Sequence, residues 1–151
     1  MQRPTLIYCA GGNKRFVDIA KFAGFELGAQ VPCTVYHDLY FCDQDWKKPN
    51  RAAYMLALAK HKPHMATVLD WEYEDQLKDV LDWAEEASQH TENVLIVPKV
   101  QKGISQLPRS FNGKPIVLAF SVPTKFGGTK LSPNQFAGWP VHLLGGSPHY
   151  K

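Results

Sequence analysis

The length, composition and charge of the chain restrict its class. It has 151 residues, of which 44% are hydrophobic and 21% charged, and its formal net charge is +3. These values predict a single domain over residues 1–151 and exclude a disordered tail, a coiled coil and a collagen-like rod. No apolar run is long enough to span a membrane, and the N-terminus lacks the apolar segment of a signal peptide. We therefore expect no membrane partner and a cytoplasmic location.

The cysteines and the short motifs argue against bound cofactors. Cys9, Cys33 and Cys42 form no CxxC pair, so neither a disulfide framework nor a four-cysteine zinc site is expected. The phosphate-binding pattern GxxxxGK(S/T) and the dinucleotide-binding pattern GxGxxG are both missing. The sequence therefore predicts neither a metal nor an organic cofactor. A metal site assembled from distant Asp and His side chains is the open alternative.

Charge is distributed unevenly along the chain. Nine acidic residues and a single lysine, Lys78, lie in the segment 70–92. The segment 99–151 contains seven Lys or Arg residues and no acidic residue. This asymmetry favours an anionic partner near the C-terminal third, with a solvated basic face as the alternative.

Short apolar runs alternate with segments of helical spacing. In the first half, the sequence predicts a strand over Leu6–Ala10, a helix over Lys14–Ala23, an irregular stretch through Thr34–Tyr36 and Leu39–Phe41, a loop over Cys42–Trp46, and a helix over Arg51–His61. In the second half, it predicts a strand over Met65–Leu69, a helix over Tyr73–Ser88, a strand over Val94–Val97, a short helix over Val100–Leu107, and strands over Ile116–Val122 and Val141–Leu144.

This alternation indicates an α/β fold. The strand runs are continuously apolar, which is typical of strands covered on both faces in a parallel sheet. An eight-stranded barrel needs at least about 200 residues. We therefore expect a mainly parallel sheet of five to six strands with flanking helices, either open or partly closed like a portion of a TIM barrel.

Polar residues and glycines follow each predicted strand. Because the carboxyl ends of parallel strands meet at one edge of the sheet, these residues are expected to form a single site. In chain order, the candidates that follow the strands are Asn13, Asp70, Glu72, Lys99, Thr124, Lys125, Gly127, Gly128, Gly145, Gly146, Ser147 and His149. The two glycine pairs permit close approach of backbone N–H groups to a phosphate, although such pairs also occur in ordinary turns.

The carboxylates are the strongest candidates for chemistry. Asp70 and Glu72 follow a predicted strand and are suited to acid–base work, nucleophilic attack or hydrogen bonding to a base edge. Alternatively, Asp70 caps the next helix and Glu72 is a charge in its first turn. Asp43 and Asp45 form a second pair, for which the alternative is a solvated loop.

Four segments carry a resemblance to known families. In chain order they are MATVLDWE, VLIVPKV, VLAFSVPTKFGGT and PVHLLGGSP. Together they resemble a family of small proteins from actinobacteria and their phages, which implies the host cytoplasm if the protein is phage-encoded. More distantly, the same order is similar to the second half of the barrel of tRNA-guanine transglycosylases and of their DNA-modifying 7-deazaguanine relatives.

The transglycosylase resemblance assigns roles to particular residues. Asp70 matches the acid that reads the base, Ser121–Pro123 match a stretch that lines the pocket, and Leu143–Gly146 match a late glycine-rich strand. The resemblance therefore makes Ser121 a further candidate for substrate binding. The family's zinc motif is absent. Its nucleophile follows the glycine-rich strand, and this sequence ends at Lys151. The resemblance therefore implies that Asp43 or Asp45 is the nucleophile, or that the base is bound without exchange.

The expected function is a transglycosylase-like exchange or recognition of a guanine or 7-deazaguanine base in nucleic acid. The partner is then nucleic acid, or a nucleotide or nucleobase, and a homo-oligomer is left open. A non-catalytic phage accessory protein that binds a nucleotide or nucleic acid is the first alternative, and a metal-dependent hydrolase is the second.

Overall fold

The computed structural model describes residues 3–9, 13–125 and 127–145. In this part of the chain there are three α-helices, α1 (Lys14–Phe22), α2 (Arg51–His61) and α3 (Leu77–Ala87). The strands are β1 (Ile7–Cys9), β2 (Glu26–Gln30), β3 (Phe41–Asp43), β4 (Met65–Thr67), β5 (Asn93–Ile96), β6 (Ser110–Phe111), β7 (Lys114–Ser121) and β8 (Val141–Leu144). Short 3-10 turns occupy Glu74–Gln76, Ile104–Gln106 and Pro133–Phe136.

The strands form one mixed sheet that curls into a half-barrel. Strands β1 to β5 lie side by side in chain order, β7 follows β5, and both β6 and β8 pair with β7. The pairings are parallel except for the antiparallel β6–β7 hairpin. The expectation of a mainly parallel sheet of five to six strands is therefore wrong. The sheet has eight strands among the described residues and is mixed.

The antiparallel hairpin has a local cause in the sequence. Asn112 and Gly113 both have positive φ, at 48° and 73°, and they link β6 to β7. Consecutive residues of positive φ favour a tight hairpin, and Asn-Gly is the strongest short signal for one. The Asn-Gly pair in the sequence therefore indicates the hairpin, whereas the apolar runs do not.

Strands β2 and β3 were missed because they are short and only partly apolar. The β2 segment contains Gly28, which sits between Cys9 of β1 and Phe41 of β3 in the parallel register. A Cβ at this glycine would lie 2.8 Å from the Phe41 ring, so the two neighbouring strands leave no space for a side chain. Because Phe41–Asp43 forms β3, Asp43 ends a strand and does not lie in a loop as predicted.

The three helices lie close to their predicted bounds. Asn50 caps α2 by accepting a hydrogen bond from the Ala53 amide at 3.1 Å, as its sequence position indicates. Helix α3 buries Val80 and Ala84 along one stripe, and the residues before it form a 3-10 turn. No helix in the described segments is long and apolar enough to cross a membrane.

The central strands separate two hydrophobic clusters. In β5 and just beyond it, Val94 and Ile96 belong to the larger cluster beneath the helices, whereas Leu95 and Val97 belong to the smaller cluster on the other face. Since successive side chains of a strand point to opposite faces, both sets of positions must be apolar. This two-sided burial explains the continuous apolar runs.

Candidate functional site

A cavity of about 350 Å³ lies at the carboxyl-terminal ends of the strands. Its walls come from the ends of β1, β3, β7 and β8 and from the segments that follow β3, β4, β5, β7 and β8. The lining residues are Cys9, Phe41, Asp43, Trp46, Asp70, Lys99, Ser121, Val122, Thr124, Gly127, Gly128, Leu144 and Gly145. The structure thus brings together eight of the candidate residues at one edge of the sheet.

Asp43 is held in the cavity wall by a buried chain of hydrogen bonds. The Gln44 amide donates to Thr67 Oγ1 at 3.0 Å, and the Thr67 hydroxyl donates to Asp43 Oδ1 at 2.7 Å. Burial raises the pKa of the Asp43 carboxyl to about 6, against the opposing effect of the Thr67 hydrogen bond, and the charge of Asp70 raises it further. Both protonation states of Asp43 are therefore accessible near neutral pH.

Tyr54 of α2 fixes Thr67 from below. Its hydroxyl lies 2.7 Å from the Thr67 carbonyl oxygen and 3.2 Å from that of Cys42, so it ties β4 to β3. Tyr54 and Thr67 are fully buried, and burial raises the pKa of the Tyr54 hydroxyl well above its usual range. The phenol consequently stays protonated and acts as a hydrogen-bond donor. It fixes the position of Thr67, which in turn donates to the Asp43 carboxyl.

Asp70 forms an ion pair with a lysine that follows the neighbouring strand. Lys99 Nζ lies 2.7 Å from Asp70 Oδ2 and 3.1 Å from Glu72 Oε1. Burial raises the pKa of Asp70, and the ion pair with Lys99 opposes this rise. Gln44 Nε2 approaches Asp70 Oδ1 at 3.4 Å. Asp70 is thus an ion-paired carboxylate of the cavity, whereas Glu72 is outside the lining and contributes to the site through Lys99.

Asp45 has a local structural role. Its Oδ1 accepts hydrogen bonds from the amides of Lys47 and Lys48, at 3.0 and 3.2 Å. Side chains of Asp commonly close a turn in this way. Asp45 is not among the residues that line the cavity, so of the pair Asp43 and Asp45 the structure favours the first as the chemical group.

The loop after β7, which contains Gly127 and Gly128, uses several of its backbone amides in hydrogen bonds within the protein. The Thr124 amide donates to the Gly127 carbonyl at 2.7 Å, the Gly127 amide donates back at 3.1 Å, and the Thr129 amide donates to Ser121 at 2.9 Å. The Thr129 hydroxyl donates to the Pro98 carbonyl at 3.1 Å and anchors the loop beside β5. Three amides of the expected phosphate cradle are therefore used within the protein, and the loop serves as a wall of the cavity.

Replacing Gly128 by Ala is expected to destabilise the fold more than replacing Gly127. Both residues have φ near +125°, at 123° and 129°, where any Cβ is strained at a cost of about 1–3 kcal/mol. At Gly128 the added Cβ would also lie 2.7 Å from Pro123 Cα, whereas at Gly127 it would meet nothing within 4 Å. Urea unfolding of the two variants measures the difference, and equal losses would contradict this account of the loop.

The remaining candidates have other positions. Asn13 caps α1 by accepting from the Arg15 amide at 3.1 Å and is not in the cavity lining. Lys125 belongs to the loop after β7 but is also outside the lining. The candidates that lie outside the described residues are Gly146, Ser147 and His149.

Sequence reasoning missed several residues of the site. Cys9 lies in the lining, and burial followed by the charge of Asp43 raises the pKa of its thiol to about 11, so it stays protonated. Trp46 and Thr67 were also missed, since neither belongs to a recognisable motif. Among residues 3–9, 13–125 and 127–145, no group of three His, Cys, Asp or Glu side chains is arranged to hold a metal ion.

The fold and the site define an α/β half-barrel with two carboxylates and a lysine at the carboxyl ends of its strands. The model of a family of unknown function, DUF6610, matches residues 20–151, and the chain belongs to this family. Comparison with curated proteins and with solved structures finds no match for the chain. These findings give no link to transglycosylases, actinobacteria or phages, so that resemblance stays a hypothesis.

Proposed function

We propose that the cavity at the strand ends binds a guanine or 7-deazaguanine base of nucleic acid and exchanges it in the manner of a transglycosylase. The observation that carries the proposal is the Asp43 carboxyl in the cavity wall, with its pKa raised to about 6, beside the Asp70–Lys99 ion pair. The volume of about 350 Å³ falls within the range of small-molecule sites, roughly 300–1,000 Å³. A cytoplasmic location is part of the proposal, because nucleic acid and free bases meet there.

The charge of the site matches the donor-rich edge of a guanine. Asp43, Asp70 and Glu72 contribute three carboxylates around one lysine, so the site has an acidic excess. Such a site disfavours phosphate and favours groups that donate hydrogen bonds. The Watson–Crick edge of guanine presents adjacent N–H donors, and a carboxylate accepts from both.

The proposed roles of the two aspartates follow from their partners. Asp70 is oriented by Lys99 and Gln44 and is suited to hydrogen bonding with the base. Asp43 is suited to nucleophilic attack at the sugar carbon or to proton transfer, because its pKa lies near neutral pH. In such an exchange an Asp43 oxygen forms a bond to the sugar carbon as the glycosidic bond to the old base breaks, and the old base leaves with that electron pair and takes up a proton. The new base then attacks the same carbon, loses the proton of its attacking nitrogen, and releases the aspartate as a carboxylate.

Non-catalytic binding of a nucleotide or nucleic acid is the second candidate function. It is favoured by the short hydrogen bond that Thr67 donates to Asp43 Oδ1 at 2.7 Å, because a carboxylate held by a protein donor is a weaker nucleophile. In that case the same cavity holds a base without breaking its bond to the sugar.

Incorporation of labelled guanine into RNA or DNA separates the two functions. Turnover by the wild-type protein that is lost in Asp43→Asn and retained in Asp45→Asn supports exchange. Stoichiometric binding of guanine without incorporation supports the binding function. Absence of both incorporation and guanine binding would overturn the proposal.

A further inference from the structure

We propose that the loop between β3 and α2, centred on Trp46, Lys47 and Lys48, is a binding surface for single-stranded nucleic acid. A base of the strand stacks on the indole at the mouth of the cavity, and the two lysines contact the flanking phosphates. The inference rests on the proposed function for the base inside the cavity and names the form of the substrate, an unpaired strand.

Trp46 has the position expected of a stacking platform. Its side chain contributes to the cavity lining, yet 44% of its surface is exposed, so it stands where the cavity opens to solvent. Successive unpaired bases stack on aromatic rings in proteins that bind single strands, largely irrespective of base identity.

The two lysines near the Trp46 ring differ in whether carboxylates hold their ammonium groups. Lys99 Nζ lies 5.7 Å from the ring centroid and is held by Asp70 and Glu72. Lys47 Nζ lies 5.4 Å from the centroid on an exposed side chain. An exposed cation–π contact is weaker than base stacking, so a base can replace the Lys47 ammonium over the ring. The displaced ammonium is then available to a phosphate.

The loop holds the two lysines together beside the cavity. Asp45 Oδ1 accepts from both of their amides, which fixes the backbone of Lys47 and Lys48 directly after Trp46. Lys48 is exposed, as is Lys47. This arrangement supplies phosphate contacts outside the acidic cavity, whereas Lys99 is occupied by carboxylates and is a poor phosphate ligand.

The test measures the affinity of the purified chain for a fluorescent single-stranded oligonucleotide with one guanine, as DNA and as RNA, and for a blunt duplex. The variants are Trp46→Ala, Trp46→Phe and the double variant Lys47→Ala/Lys48→Ala. The matched control is Lys21→Ala/Lys60→Ala, which removes two exposed positive charges from the last turns of α1 and α2. These turns lie at the opposite edge of the sheet, because each helix runs back against the strands.

Trp46→Ala is expected to weaken single-strand binding about 10-fold, and Trp46→Phe is expected to lose less because it keeps an aromatic face. The Lys47/Lys48 double variant should reduce the slope of log affinity against log salt by about 1.4, or about 0.7 for each phosphate contact. The control should leave the slope unchanged. Circular dichroism of every variant verifies folding, and Trp46→Phe provides a folded variant should Trp46→Ala fail to fold.

Single-strand affinity within twofold of wild type in both Trp46 variants, or an equal slope change in the control, would overturn the inference. The labelled-guanine assay is run on the same preparations. Exchange that persists while strand binding is insensitive to Trp46 rejects the loop surface and keeps the proposed function. Strand binding that depends on Trp46 without any exchange or guanine binding rejects the proposed function and keeps the loop surface.

Discussion

Asp43→Asn is expected to reduce base exchange at least about 100-fold and to stabilise the folded protein at neutral pH. The substitution keeps the size of the side chain and an oxygen that can accept from Thr67, which donates to Asp43 at 2.7 Å. In the proposed exchange, it removes the ionisable oxygen that would form the bond to the sugar or transfer the proton. Opposite effects on activity and stability are typical of a group buried for function.

The stability gain follows from the pKa of Asp43. Burial raises this pKa from 3.8 to about 6, so between these pH values the folded chain binds the proton more tightly than the unfolded chain. The contribution of Asp43 to the stability of the wild type is therefore greatest below about pH 4 and falls as the pH rises to 6. Above pH 6 the ionised carboxylate costs about 2–3 kcal/mol, at 1.36 kcal/mol per pKa unit.

Thermal unfolding at two pH values tests this expectation. At pH 7.5 the Asn variant should melt roughly 5–10 °C above the wild type, and at pH 3.5 the two should coincide. Asp45→Asn is the control, because it removes a neighbouring carboxylate charge outside the cavity lining and keeps the oxygen that accepts from the Lys47 and Lys48 amides. A variant of Asp43 that is less stable than the wild type at pH 7.5 would contradict the assigned pKa.

The position of the site could be predicted from the sequence because it depends on simple alternation. Apolar runs followed by Asp70, by Lys99 and by Thr124 give strand ends, and parallel strands place their carboxyl ends at one edge. The structure places these three residues around one cavity. Local sequence was sufficient here, since each strand end is set by its own run of apolar residues.

The number of strands in the sheet and their pairing could not be predicted in the same way. Strand β2 has the sequence ELGAQ, which carries little strand propensity, and it is a strand because β1 and β3 pair with it on both sides. Tertiary pairing therefore decided its conformation. The β6–β7 hairpin is different, because the local pair Asn112-Gly113 predicts a tight hairpin turn without any tertiary information.

The partners within the site were also beyond sequence reasoning. The sequence identifies Asp70 and Lys99 as separate candidates after two different strands, yet the two form an ion pair with an Nζ–Oδ2 distance of 2.7 Å. They are 29 positions apart, and only the parallel neighbourhood of the segments after β4 and β5 brings them together. In the same way, Thr67 has no motif of its own and becomes important because β4 lies next to β3.

Lys99→Met is expected to destabilise the folded protein by about 2 kcal/mol at neutral pH. The side chains of Lys99 and Asp70 are only 16% and 15% exposed, so removing the ammonium leaves a largely buried carboxylate without its cation. Loss of one partner from a fully buried ion pair costs about 3–5 kcal/mol, and the remaining access to water at this pair reduces that figure. Chemical denaturation at pH 7 measures the loss.

The pH dependence and a second substitution identify the cause of this loss. Without Lys99, burial raises the pKa of Asp70 further than in the wild type, where the lysine opposes the rise. The folded variant then binds the Asp70 proton more tightly than the unfolded chain, so the destabilisation is present at neutral pH and diminishes as the pH falls through that raised pKa.

The double variant Lys99→Met/Asp70→Asn removes the stranded charge and should recover most of the lost stability. Lys78→Met is the matched control, because Lys78 pairs with Asp82 at 2.6 Å but is 82% exposed, and its loss should leave the unfolding midpoint unchanged. Equal destabilisation by Lys99→Met alone and by the double variant would show that Lys99 contributes through packing. In that case the charge of Asp70 would not need Lys99 for its stabilisation. The ion pair would then have no energetic role in the cavity, which contradicts the assignment of Asp70 as a carboxylate held by Lys99.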